Sequence, residues 1–327
     1  MTDAPIPGAN PSPPAWTGRR VLWLLLKILI VVLVAWGVRR TLLAAWHDLE
    51  RQSWQLTPTW LLPAALLYLA GLLPCAWFWR RLLRALDQRP PLLATLRAYY
   101  VGHLGKYVPG KAMVVVLRAG ILRALDVDIA AAATTALYET LTMMSVGALV
   151  ATLLLVALGG TSWLLIALAA SLWLATAVPI IPRAFARLTG WAGIGRRDPE
   201  SLAAWRNLPP TLLLRGWVSI AAGWLLVGLS LWCVLHALEL PTGPPSLAEL
   251  PRLVAAVALA VVAGFLSLIP GGALVREAVL LELLAPRYGE AGAAVAAVLL
   301  RVVWLLSELA ISAILYASGP RHSGGAP

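Results

Sequence analysis

Charge is scarce in this chain of 327 residues: only 13% are Asp, Glu, Lys or Arg, against about 25% in a soluble domain. Hydrophobic residues make up 60%, and the mean hydropathy is +0.81. So little solvating surface excludes a water-soluble globule and predicts an all-α polytopic membrane protein. Acidic residues are scarcer than basic ones, 15 against 26, which leaves a net charge of +11. In a lipid-embedded chain that excess belongs in loops, where its placement reports orientation. The only cysteines, Cys75 and Cys233, fall inside apolar runs, which excludes a disulfide scaffold and a thiolate zinc site. His47, His103, His236 and His322 share no helical spacing. No metal and no cofactor is therefore expected.

What the chain does have is long apolar stretches. A helix needs about 20 apolar residues to cross the hydrocarbon core, and clean candidates run over 21–38, 60–79, 129–158, 163–181, 212–238 and 295–316. Two further regions, 91–125 and 253–285, are apolar but interrupted. About six to eight transmembrane helices are predicted, two of them broken or re-entrant. Residues 1–17 and 319–327 are rich in Pro, Gly and small polar residues and read as disordered tails, flanking a single transmembrane domain over 18–318. Arg19 and Arg20 precede the first span, but its length and the lack of a small-residue cleavage site favour a retained helix over a removed signal. No soluble catalytic domain is expected at either end.

Basic residues concentrate in two places. Nine lie between Arg80 and Arg123 with Asp87 as the one acid, and six lie between Arg183 and Arg215 with two acids. Both regions are expected on the cytoplasmic side of a cytoplasmic membrane, with the N-terminus cytoplasmic as well. Arg39 and Arg40 run against that orientation, and an interfacial helix over 42–54 accommodates them. Anionic headgroups account for the short basic runs beside helix ends better than nucleic acid does. Ten of the 16 tryptophans fall near span ends, as an interfacial belt requires.

The interrupted segments carry the functional reading. The first contains Gly105-Lys106-Tyr107-Val108-Pro109-Gly110-Lys111 and then Arg118; the second contains Pro270-Gly271-Gly272 followed by Arg276-Glu277. Proline removes a backbone donor and glycine loosens a helix, so each break needs polar partners that lipid does not supply. Broken helices that enter from opposite sides suggest an inverted repeat with a binding site where they meet; two unrelated kinks are the alternative. Gly105 to Lys111 also spells the phosphate-loop pattern G-x-x-x-x-G-K, but Ala112 stands where Ser or Thr should hold magnesium, and no strand precedes it. Nucleotide hydrolysis is not expected. Backbone N–H groups beside glycines, with Lys106 and Lys111, still suit an anionic group such as a lipid phosphate.

These two motifs, in this order, with Glu139 in the span between them, resemble the lysylphosphatidylglycerol synthase transmembrane family of flippase-like proteins over roughly residues 23–316. The resemblance implies a multi-helix domain that moves amphiphilic lipids between leaflets. It does not carry over the aminoacylating activity, which belongs to a cytosolic domain found in some members. Ala273-Leu274-Val275 departs from the family, whose members tend to have a further glycine there.

Charges inside spans complete the candidate site. Each needs a partner or a cavity, because a charge at the bilayer centre costs at least about 2.5–3.5 kcal/mol. Glu139 lies too deep to reach water, with Arg118, Arg276 and Arg301 as candidate partners; a purely structural pair is the alternative. Arg276 and Glu277 point about 100° apart on a helix, so Arg276 is expected to face the site and Glu277 to anchor the segment. Arg301 and Glu308 share a helix face. The expected headgroup site comprises Lys106, Tyr107, Lys111, Arg118, Glu139, Arg276, Glu277 and Arg301, with backbone breaks at Gly105, Pro109, Gly110, Pro270, Gly271 and Gly272. Transport of an anionic or amphiphilic lipid is the expected function, with membrane lipids as partners and a homo-oligomer or a lipid-synthesis enzyme as further candidate partners. A membrane-embedded lipid transferase and a non-transporting accessory subunit are the alternatives, and no catalytic motif supports an enzyme.

Overall fold

Apolar runs punctuated by proline and glycine become, in the computed structural model, helices punctuated by turns. The structure describes residues 56–108, 112–159, 162–191, 205–267, 272 and 274–318. The expected span 21–38, the interfacial helix 42–54 and both tails lie outside the described residues.

A 3₁₀ turn at Pro58–Trp60 opens α1 (Leu61–Ala85), followed by α2 (Leu92–His103), α3 (Ala112–Arg123), α4 (Ile129–Leu158), α5 (Trp163–Ala177), α6 (Pro182–Trp191), α7 (Pro210–Ala237), α8 (Leu250–Leu266) and α9 (Val275–Ala317). Among the described residues the sole β contact is an isolated antiparallel bridge between Leu56 and Leu238. Five stretches are long and apolar enough to cross a membrane, Pro58–Ala85, Ile129–Leu158, Pro210–Ala237, Leu247–Leu266 and Val275–Ala317, and the bent pair α5 and α6 makes a sixth candidate. The protein is an all-α, multi-pass membrane fold.

One span differs from the straight helix predicted over 163–181. Val178 is still helical and donates to the Leu174 carbonyl, but Pro179 has no N–H to carry the ladder on, so α5 ends there, and α6 restarts on Pro182 at an angle of 67°. Arg183 and Arg187 then sit on α6 beside buried Phe185 and Ala186, giving it one polar and one apolar face. Phe185 stacks edge-on against Tyr138 of α4, whose hydroxyl donates to the Ile180 carbonyl and so closes the bend.

The two interrupted segments fold as helical hairpins. At 1.5 Å per residue, α2 and α3 are each about 18 Å long, short of the ~30 Å core, and they pack on each other. Their outer ends are tied together: the Asp128 N–H after α3 donates to the Gln88 side chain before α2. The second hairpin is α8 with the first arm of α9, residues 275–288. Its outer ends are joined by the Tyr288 hydroxyl, which donates to Glu249, and by Arg287 beside the same carboxylate. Gly289, at φ 73°, then turns the chain into the second arm of α9, residues 290–317.

Between the hairpins the chain crosses three times, by α4, the bent α5 and α7, which leaves their outer ends at opposite ends of the bundle. Contacts fix those ends: Leu56 meets Leu238 near the second hairpin's outer ends, whereas Arg97 of the first hairpin donates to the Leu315 carbonyl. α1 and α7 form the central pair. Their crossing requires glycine, because a Cβ on Gly223 would lie 2.5 Å from the Gly71 carbonyl oxygen.

Candidate functional site

Between the inner ends of the hairpins lies a cavity of about 440 Å³. Its wall is mostly apolar, drawn from α1, α3, α4, α7 and α8, and its polar lining includes Lys106, Arg118, Glu139 and Arg276. Two of its apolar residues, Val116 on α3 (49% exposed) and Leu137 on α4 (38% exposed), also face outward. In a membrane fold that outward side faces acyl chains, so the cavity has a mouth between α3 and α4.

Each hairpin presents an arginine by the same device. In the first, α2 contributes Gly102, and a Cβ there would lie 2.5 Å from Cγ of Arg118 on α3. In the second, α8 contributes Gly264, and a Cβ there would lie 2.4 Å from Cγ of Arg276 on α9. A glycine on one arm thus makes room for the stem of an arginine on the other.

The two arginines have different company. Arg118 and Glu139 are each 1% exposed, and Arg118 Nη1 donates to Glu139 Oε2 at 2.6 Å. Tyr99 donates to Glu139 Oε1 at 3.1 Å, and the guanidinium lies over the Tyr99 ring, 3.9 Å from its centre. The two charges thus neutralise each other, as charges buried in lipid have to, with Arg118 Nε left without a hydrogen bond among the described residues. Arg276 instead lies over the ring of Trp304, 4.9 Å from its centre. Among the described residues no carboxylate comes within 4 Å of its guanidinium.

A third group joins the first hairpin to α9. Glu308, fully buried, accepts hydrogen bonds from Lys106 and from the Tyr68 hydroxyl. Nε2 of His103 lies 3.7 Å from the same oxygen. Tyr68 is stacked on Trp304 at 4.3 Å, and Trp304 donates to Ser230 of α7 at 3.0 Å, so the platform beneath Arg276 is held by three helices. At the cavity, Lys106, Arg118 and Arg276 stand against Glu139 and Glu308, which leaves one positive charge uncompensated.

Of the residues expected from sequence, Lys106, Arg118, Glu139, Arg276 and Gly272 line the cavity, whereas Tyr107, Glu277 and Arg301 do not. Tyr107 stands behind the wall with its ring 5.1 Å from the Lys106 ammonium. Glu277 turns away from Arg276 and pairs with Arg301, clasping the two arms of α9. Gly105 is buried against α3, where a Cβ would lie 2.6 Å from the Val114 nitrogen, and Gly272 has φ 66°. Lys111, Pro109, Gly110, Pro270 and Gly271 lie outside the described residues. Sequence reasoning missed Glu308, Tyr68 and Trp304 as parts of one cluster. The available signal was Glu308 itself, an ionisable residue deep in a span. No group of three His, Cys, Asp or Glu side chains placed to hold a metal occurs among the described residues.

Fold and site together define a multi-pass helical membrane protein with a charged cavity between two opposed helical hairpins. The pattern of the family described as the lysylphosphatidylglycerol synthase transmembrane region matches residues 23–311, and the chain belongs to that family. Membership indicates a membrane protein of lipid and cell-envelope pathways. No curated protein matches the chain.

Proposed function

We propose that the protein translocates amphiphilic lipids with an anionic headgroup across the cytoplasmic membrane. The observation that carries this reading is Arg276, a cation at the inner end of a hairpin, lining an apolar cavity without a carboxylate partner among the described residues. An anion arriving there neutralises the one excess charge of the cavity. The mouth flanked by Val116 and Leu137 suits acyl or prenyl chains that stay in the bilayer while the headgroup reaches inward. The protein acts by moving its ligand; Arg118 and Glu139 engage each other rather than presenting a free base.

The orientation follows from charge. Arg80, Arg81, Arg84, Arg89, Arg97 and Arg123 lie toward the outer ends of the first hairpin, which assigns that end and the N-terminus to the cytoplasm. On this reading α1, the first hairpin and α4 form one span–hairpin–span unit, and α7, the second hairpin and the second arm of α9 form its inverted counterpart. Opposed hairpins that share one cavity are the geometry alternating access uses.

The test is translocation of a fluorescent phosphatidylglycerol in proteoliposomes by wild type, Arg276→Lys and Arg276→Ala. A charged hydrogen bond contributes about 1.5–3 kcal/mol, so Arg276→Ala is expected to lose roughly 10- to 100-fold in lipid affinity. Arg276→Lys should retain an intermediate value. Equal translocation by all three proteins removes the assigned site.

A further inference from the structure

The Lys106–Glu308 contact combines an idle carboxylate oxygen with a cation that also lines the cavity; the Glu277–Arg301 clasp shares the first feature, Glu277 Oε2 being likewise buried without a partner among the described residues, but not the second. Glu308 receives its hydrogen bonds on Oε1, while Oε2 is buried and has no hydrogen-bond partner among the described residues. A fully charged buried carboxylate with one idle oxygen is incompletely compensated. Lys106, its partner, also lines the cavity with Arg276. The same ammonium therefore faces both a permanent internal acid and the place assigned above to an external anion.

We infer that Glu308 is a proton carrier and that the protein takes up one proton with each anionic headgroup. This rests on the headgroup reading of the cavity. When a phosphate occupies the space beside Arg276, Lys106 turns toward it, since phosphate binds two cations better than one. Glu308 then keeps only uncharged donors, the hydroxyls of Tyr68 and Tyr107. A buried carboxylate stripped of its counter-ion is more costly than its neutral acid, so it binds a proton on Oε2, the oxygen that is free to carry it. Before binding the site holds Lys106⁺ and Glu308⁻. Afterwards it holds Lys106⁺ beside the phosphate anion, and protonated Glu308. One anion and one proton have entered, the proton coming from water that reaches the cavity, and the net charge of the site is unchanged. Lipid and proton then travel in the same direction, which couples lipid movement to a proton gradient without a nucleotide.

Other groups around Glu308 are accounted for. Tyr68 of α1 donates to it in both states. His103 and Tyr107 face it from the first hairpin and Arg276 from the second, and Arg301, two turns earlier on its own helix, is engaged by Glu277. His103 is the rival carrier, because its Nε2 lies 3.7 Å from Glu308 Oε1.

Proton uptake per lipid bound is measured by titrating the full-length protein in detergent with short-chain phosphatidylglycerol in calorimetry buffers of different ionisation enthalpy. Wild type is expected to take up close to one proton per lipid, and His103→Gln to do the same. Glu308→Gln, which mimics the protonated acid, should bind the lipid with uptake near zero. Lys106→Gln is a second route should Glu308→Gln fail to fold: with its counter-ion gone, Glu308 is protonated in advance, so lipid binds more weakly and without uptake. Binding by wild type with no proton uptake, undiminished uptake in Glu308→Gln, or loss of uptake in His103→Gln overturns the assignment while leaving the headgroup site standing. Failure of wild type to bind any anionic lipid overturns both.

Discussion

Arg118 and Glu139 show what a single buried pair contributes. Both are almost inaccessible and lie 2.6 Å apart, so Arg118→Ala strands a carboxylate among apolar helices and is expected to cost about 3–5 kcal/mol. Thermal unfolding in detergent measures it, and a double-mutant cycle with Glu139→Gln should return a large part of the loss; additive effects would contradict a direct pair. Glycine and arginine are coupled in the same local way. A methyl group on Gly264 would collide with the Arg276 stem, so Gly264→Ala is expected to displace the guanidinium from Trp304 and weaken anionic-lipid binding by about tenfold or more, read by titration with the same short-chain lipid. The pairing of Glu139 was legible because a charge deep in a span has to find a partner. The partner's identity was not: Arg118, Arg276 and Arg301 were equivalent candidates until α3 packed on α4. Lys106 and Glu308 are separated by 202 positions in the chain, and neither carries any local mark of the other.

Helices and hairpins follow from different signals. Long apolar runs and the Pro-Gly breaks predicted most of the spans and both interruptions, because length against bilayer thickness is a one-dimensional constraint. Which helices touch is three-dimensional, and the α1–α7 crossing illustrates it. Gly71 and Gly223 look ordinary in sequence, yet the two backbones meet there. Gly223→Leu is therefore expected to destabilise the protein by about 1–3 kcal/mol through overpacking, visible as a lowered melting temperature, whereas Gly120→Ala, where a Cβ meets nothing within 4 Å, should leave it unchanged or slightly stabilised. The bend between α5 and α6 was hidden for a related reason. Pro179 and Pro182 mark the turn, but the amphipathic character of α6 becomes apparent only once Phe185 is seen docked on Tyr138.

At the scale of the molecule, the opposed hairpins make a topological prediction. Exposed cysteines introduced at Arg89, beside the first hairpin's outer ends, and at Thr242, beside those of the second, are expected to react with a membrane-impermeant maleimide from opposite faces of sealed vesicles. Labelling of both from one face would contradict the arrangement. Native Cys75 and Cys233 are both buried, so wild type supplies a quiet background for the experiment.

Gly289 gives that arrangement a mechanical side. Its φ of 73° joins the stem of α9 to the arm of the second hairpin, and a Cβ there would meet nothing within 4 Å, so backbone geometry rather than crowding selects glycine. The arm from 275 to 288 is a rigid lever about 21 Å long, and Arg276 rides near its far end. A rotation of about 10° at the joint sweeps that tip through roughly 4 Å over the lever's ~1.5 Å-per-residue length, on the order of the distance that separates contact from release. The Glu277–Arg301 clasp restrains this swing, so the angle at one glycine sets the reach of the cation at the opposite end of the arm.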